Sequence, residues 1–138
     1  ILSEDYLNNE EEVIVDNAIK ALDVACKETE SRVDEYTAAP LFEKDSDKIF
    51  HQWIMEFDKA PDDMQRFTEI FDKALQEVNS DYEAKRYKNL VLKMPKIISV
   101  PKGTFYQWLK TRGKLGGQNK VPRLSNTREY IEEILKLI

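Results

Sequence analysis

The chain has 138 residues, 41% apolar and 34% charged, with a mean hydropathy of −0.59 and a formal net charge of −5. That length suits one domain with a single core; 10% aromatics argue against disorder, and 4 Gly and 5 Pro exclude collagen-like or low-complexity character. No run approaches the roughly 18 apolar residues of a membrane helix, one cysteine excludes an internal disulfide, and Cys26 with the lone His51 is too few for a zinc site.

Residues 1–12 are polar and acidic and are expected to form a linker or hinge remnant, with residues 13–138 as the domain. Asp16 or Asn17 can cap a first helix, in which Ala18, Ile19, Leu22, Ala25 and Cys26 recur at helical spacing to about Ser31. Arg32–Phe42 then changes period and reads as a strand, placed at an edge by Pro40. Ile49–Phe57 alternates with period 2 and is apolar on both faces, so the two segments predict an antiparallel hairpin.

Pro61, Asp62 and Asp63 open the clearest helix, because proline tolerates the first turn and acids complement the helix dipole. Its apolar stripe is Met64, Phe67, Ile70, Phe71, Ala74, Leu75 and Val78. Ser80 with Glu83 predicts a capping box and a short helix through Tyr87. Pro95–Val100 reads as a short strand. Thr104 with Gln107 predicts a capped helix ending near Gly113, and Asn126 with Glu129 caps a last one bearing Tyr130, Ile131, Ile134, Leu135 and Ile138. The fold class is α+β: a small mixed or antiparallel sheet of three to four strands covered by helices.

Charge is divided unevenly along this order. Residues 1–80 hold 8 basic and 21 acidic side chains, a formal −13; residues 81–138 hold 13 basic and 5 acidic, a formal +8. The C-terminal part can therefore face an anion or a partner surface, or the two halves can face each other.

Several residues invite a chemical reading and take a structural one. His51, between Ile49 and Trp53 on an apolar strand, is expected to be partly buried with a hydrogen-bond partner. Cys26 reads as a small core residue. Asp62-Asp63 and Glu10-Glu11-Glu12 lack the spacing of an oxygen-ligand loop, so no metal site is expected. The basic and aromatic run Tyr82, Lys85, Arg86, Tyr87, Lys88 falls on different helical strips and is assigned to packing rather than to nucleic-acid stacking.

The segment Arg112 to Asn126 differs. Gly113, Gly116 and Gly117 give backbone freedom, while Arg112, Lys114, Lys120 and Arg123 supply cations. Val121-Pro122 stiffens the chain directly after Lys120. This is equipment for meeting phosphate charge, although the order of a P-loop is absent and a solvated loop has the same composition.

Lys114-Leu115-Gly116-Gly117-Gln118 and Lys120-Val121-Pro122-Arg123-Leu124-Ser125-Asn126, with Gly103-Thr104-Phe105 and Asn79–Arg86, resemble the C-terminal end of the Gretchen Hagen family. Those proteins are acyl-acid amido synthetases of the adenylate-forming superfamily, and the likeness is to bacterial-type members. It covers roughly Glu11 to Ile138. The family's large N-terminal domain is outside this sequence, and Asn9-Glu10 replaces the Phe-Gly expected at the interdomain hinge. A start at Ile1 rather than Met fits a piece of a longer protein.

The resemblance implies that a carboxylic acid attacks the α-phosphorus of ATP, with Mg2+ held by the large domain, and that an amine then captures the acyl-adenylate. It implies that Lys120 is the adenylation lysine, with Arg123, Lys114, Gly116 and Gly117 near the nucleotide. Its expected partners are the large domain, a small carboxylic acid and an amine such as an amino acid, in the cytoplasm with no membrane contact, and this piece alone would be inactive. The alternative is a nucleic-acid-binding or protein-interaction module using the basic C-terminal part.

Overall fold

The computed structural model describes residues 15–44, 47–113 and 121–138. Helix α1 (Val15–Thr29) runs into a hairpin of β1 (Arg32–Phe42) and β2 (Ile49–Lys59), in antiparallel register with Ala38 opposite Trp53 and Phe42 opposite Ile49. Helices α2 (Met64–Val78) and α3 (Ser80–Arg86) and a 3-10 turn at Tyr87–Asn89 cross over to β3 (Lys96–Val100). β3 joins the far side of β2 in parallel, Ile97 beside Trp53, giving a mixed sheet in the order β1-β2-β3. Helices α4 (Thr104–Thr111) and α5 (Glu129–Leu135) complete the α+β fold. Pro40 lies on β1, an edge of this sheet, where its missing N–H is tolerated.

The strand that alternates between two apolar faces needs cover on both, so the domain has two cores rather than one. Trp53, Met55 and Phe57 face α1, α2 and α3 together with Tyr36 and Ala38. On that side Trp53 meets Phe71 edge-on at 4.9 Å and Phe57 meets Phe67 at 5.4 Å. Small residues on α1, Ala18, Ala21 and Ala25, are fully buried and let α2 approach closely. Ile54 points to the other side, where Ala39, Val100, Phe105, Trp108, Val121, Ile131 and Ile134 form the second cluster.

Helix ends show how tertiary acceptors replace local ones. Asp63 caps α2 as expected, accepting from the Arg66 N–H at 3.1 Å. Helix α1 begins at Val15, so Asp16 and Asn17 lie inside its first turn. Asn17 bonds instead to the Val78 carbonyl at 3.2 Å and to Asn79 at 3.1 Å. Asn79, not Ser80, caps α3 through the Tyr82 N–H at 2.9 Å. At α4 the capping position is Gly103, whose φ of 90° is a left-handed conformation that glycine adopts freely. Glu56 of β2 accepts the Phe105 N–H at 3.0 Å, while the Thr104 hydroxyl donates back to Pro101. Helix α5 opens after Arg128 without a side-chain cap; Ser125 accepts the Thr127 N–H, and Asn126 does not cap the helix.

His51 is 2% exposed, buried more deeply than expected from the sequence, and its Nδ1 has no hydrogen-bond partner among the described residues. Its ring lies 5.9 Å from that of Tyr82. Burial pushes its pKa down to about 3, so the folded domain keeps it neutral. An unfolded chain protonates the same ring near its ordinary value of about 6.5. Between those two values the unfolded state binds the extra proton, and stability falls as pH falls. From pH 7 to pH 5 this single group is expected to remove about 2 kcal/mol. Urea melts of wild type and His51→Phe at both pH values check it, since carboxylate effects common to the two proteins cancel. Equal losses in both proteins would refute the assignment.

Candidate functional site

Lys114, Gly116, Gly117 and Lys120 lie outside the described residues, which reach the glycine-rich loop from both sides. At the first side α4 ends and Gly113 takes φ 69°. Arg112 is gripped there from α5: its Nη1 donates to both carboxylate oxygens of Glu133, at 2.7 and 2.8 Å. The Trp108 indole N–H donates to the same carboxylate at 2.9 Å. The Arg112 guanidinium also lies 4.9 Å from the centre of the Tyr130 ring, a cation–π distance. The indole and then Arg112 hold the Glu133 carboxyl below the usual carboxylate range.

The second side is stitched to the edge of β1. Val121 is buried in the second core and Leu124 in the first, so the short segment contributes to both faces of the sheet. The Pro122 carbonyl accepts from the Thr37 hydroxyl at 2.5 Å. The Ala38 N–H donates to the Arg123 carbonyl at 2.8 Å, and the Ser125 N–H returns to the Ala38 carbonyl at 3.0 Å. Ala38 and Leu124 thereby form a parallel bridge. Arg123 donates from Nη1 to Glu35 at 2.7 Å and to the Tyr36 carbonyl at 3.0 Å, and its guanidinium lies 4.6 Å from the Tyr36 ring centre.

Two of the four cations in this segment, Arg112 and Arg123, are therefore bound to carboxylates flanking the loop. Sequence reading found both arginines and missed their partners. Glu133 is 21 residues from Arg112 and Glu35 is 88 from Arg123, so no local spacing could reveal either pair. Beside Arg112 an open depression is lined by Thr111, Glu129, Glu133, Lys136 and Leu137, mixing both signs of charge.

The other sequence candidates are structural where described. Tyr82 and Arg86 are buried and bonded to Asp72, and Lys85 pairs with Asp81 at 2.8 Å, which removes the basic and aromatic run as a stacking face. Cys26 is partly buried against the first core. Among the described residues no group of three or more His, Cys, Asp or Glu side chains could hold a metal ion. No described helix is long and apolar enough to cross a membrane.

The family model described as the GH3 family C-terminal domain matches residues 16–129. The chain belongs to the GH3 family. The match runs from the first turn of α1 to the start of α5, through both flanks of the loop. Among solved structures, the GH3 domain is similar to "AtGH3.15 acyl acid amido synthetase in complex with 2,4-DB", with a TM-score of 0.70 and 17% identity over 99% of this chain and 25% of that one. It is also similar to "GH3.15 acyl acid amido synthetase", with a TM-score of 0.71 and 18% identity over 99% of this chain and 26% of that one. The GH3 domain thus spans about a quarter of these solved chains. No curated protein matches the sequence.

Proposed function

We propose that this GH3 domain is the mobile C-terminal part of an ATP-dependent acyl-acid amido synthetase, and that Lys120 serves carboxylate adenylation. The observation that carries the reading is the double anchoring of the loop: Arg112 to Glu133 before it, Arg123 to Glu35 after it. A cationic loop held at both flanks can present a lysine to charge developing elsewhere, which a freely solvated loop does less well.

In this reading a large N-terminal domain binds ATP and a small carboxylic acid. The carboxylate oxygen attacks the α-phosphorus, the bond to the bridging oxygen breaks, and pyrophosphate leaves. An amine, such as that of an amino acid, then attacks the acyl carbon and AMP departs, leaving an amide. Mg2+, held by the large domain, would supply charge neutralisation at the phosphates. This chain contributes the loop. Lys120 supplies a cation where anionic carboxylate meets anionic phosphate, and Lys114 is the second candidate for that contact. Gly116 and Gly117 allow close backbone approach. Arg123 serves as a positioning residue, since its Nη1 is committed to Glu35 and the Tyr36 carbonyl. The setting is cytoplasmic, where ATP is supplied, and the isolated domain is inactive.

The test is ATP–pyrophosphate exchange by the full-length synthetase carrying this domain, over a panel of carboxylic acids, with the 138-residue chain as the blank. Exchange that appears with one acid class and is absent from the blank supports the reading. No exchange with any acid, despite bound ATP, would move weight to a binding role.

A further inference from the structure

A second feature lies on the opposite end of the sheet. Pro40, Phe42, Ile49, His51, Lys85, Val91 and Leu92 line a pocket of about 130 Å³ with mostly apolar walls. Around it Phe42, Tyr87, Leu90 and Val91 are 65%, 62%, 72% and 52% exposed, a cluster of large apolar side chains facing solvent. The cluster is held in shape: Leu92 bridges to Ile49, the Lys93 N–H donates to the Ile49 carbonyl at 2.9 Å, and Arg86 holds the Leu92 carbonyl at 3.1 Å. Glu35, which anchors the second side of the loop, is seven residues from Phe42 along β1, roughly 23 Å. Pro40, the lining residue nearest the loop on β1, is five residues from Glu35, roughly 17 Å, and two from Ala38.

We infer that this pocket is the docking site for the chain's own N-terminal segment, residues 1–14. Charge is the first argument. Residues 1–14 contain five acidic side chains (Glu4, Asp5, Glu10, Glu11, Glu12) and no basic one, whereas residues 85–93 contain Lys85, Arg86, Lys88 and Lys93 and no acid. Arg86 is neutralised by Asp72 and Lys85 by Asp81, which leaves Lys88 and Lys93 to set the sign of this rim.

Composition is the second argument. Ile1, Leu2, Tyr6 and Leu7 are apolar residues in the otherwise polar, acidic run of residues 1–12. An apolar cavity of about 150 Å³ binds benzene, so a pocket of this size takes one leucine or tyrosine side chain. His51 lies in its wall with an unpartnered Nδ1.

Reach is the third. Asn17, in the first turn of α1, bonds to Asn79, the cap of α3. Lys85 lies six residues along α3 from that cap, roughly 9 Å at 1.5 Å per residue. Fourteen residues preceding Val15 extend to at most about 46 Å. The segment returns to the pocket with slack. Docked there, it fixes the direction in which the chain approaches α1, at the end of the sheet remote from the Glu35–Arg123 anchor. The inference does not depend on the adenylation reading, because it concerns the domain alone.

The experiment uses the 138-residue chain with Cys26→Ala, so that added thiols are the only ones. Asn8→Cys is paired with Leu90→Cys at the pocket rim, 72% exposed, or with Val24→Cys on α1, 41% exposed, as a reference site, and each rate is normalised to that thiol's reaction with a small free disulfide. Under mild oxidation the 8–90 disulfide is expected to form within one chain at least tenfold faster than the 8–24 disulfide. Tyr6→Ser with Leu7→Ser, which keeps the thiols and the fold, is expected to remove that advantage, as is high salt in part. Equal rates at the two sites, or an advantage that survives Tyr6→Ser/Leu7→Ser, would overturn the proposal. A product that runs as a covalent dimer would also overturn it and assign the patch to a second copy.

Discussion

Asp72→Ala is expected to destabilise the domain by about 3–5 kcal/mol, the cost of stranding one member of a buried ion pair. Asp72 and Arg86 are 3% and 7% exposed. The guanidinium holds both carboxylate oxygens at 2.8 Å, and the Tyr82 hydroxyl donates to Oδ1 at 2.6 Å. Burial and then the Asp72 charge push the Tyr82 phenol up, so it remains a donor. The hydrogen bond to Asp72 leads the effects that keep Arg86 charged. The same guanidinium reaches the Leu92 carbonyl at 3.1 Å and Asn89 at 2.5 Å. It thus ties α2 and α3 to a turn in which Lys88 and Asn89 sit at φ 51° and 56°, left-handed conformations that cost non-glycine residues energy. Removing Asp72 leaves a buried cation and frees that turn together. In urea, with a slope of about 1–3 kcal/mol per molar, the midpoint should fall by at least about 1 M. Asp72→Leu with Arg86→Met should recover much of the loss, since apolar replacement of a whole buried pair is often neutral. A loss below about 1 kcal/mol for Asp72→Ala would show that water or another group satisfies Arg86.

The contrast between these two residues and the loop explains which parts of the molecule could be read in advance. Helices α1 and α2 and the hairpin announce themselves by period, because burial on one face or two imposes spacing of 3.6 or 2. The double-faced strand Ile49–Phe57 foretold helices on both sides of the sheet. Caps were less legible. Ser80-Glu83 and Thr104-Gln107 fit the local pattern, yet Asn79 and the distant Glu56 occupy those roles. A capping box satisfies an orphan N–H with near neighbours, but any well-placed acceptor from elsewhere in the fold competes equally. The parallel partnering of β3 depends on the crossover through α2 and α3 and has no signature in its five residues. Glu35 and Glu133 were invisible for a related reason: their partners arrive only after the sheet and α5 are in place. The loop itself was legible, through its resemblance, as a family mark. The carboxylates that anchor its flanks were not.

In the full-length protein, read as the proposed synthetase, Lys120→Ala is expected to lower acid-dependent ATP–pyrophosphate exchange by about 10²–10³-fold, equivalent to roughly 2.7–4 kcal/mol of transition-state stabilisation, by analogy with removal of an oxyanion-hole donor. The size follows from what adenylation requires. Carboxylate and phosphate both carry negative charge, and charge grows on the bridging oxygen as pyrophosphate leaves, so a cation placed there acts mainly on the transition state and should appear in kcat as well as kcat/KM. Lys120 directly precedes Val121, which is buried in the second core, and Pro122, whose carbonyl is bonded to Thr37. The first described residues after the lysine are thus fixed points of the fold. The stability measured by urea melts should stay within about 0.5 kcal/mol of wild type, as for most substitutions of loop lysines. The amide-forming step supplies a discriminating control: when synthetic acyl-adenylate is provided, Lys120→Ala should transfer the acyl group to amine at close to the wild-type rate. Exchange that persists unchanged in Lys120→Ala would remove the lysine from adenylation. Loss of both half-reactions would instead place Lys120 in binding the nucleotide throughout the cycle, and the double anchoring of the loop would then serve affinity rather than the chemical step.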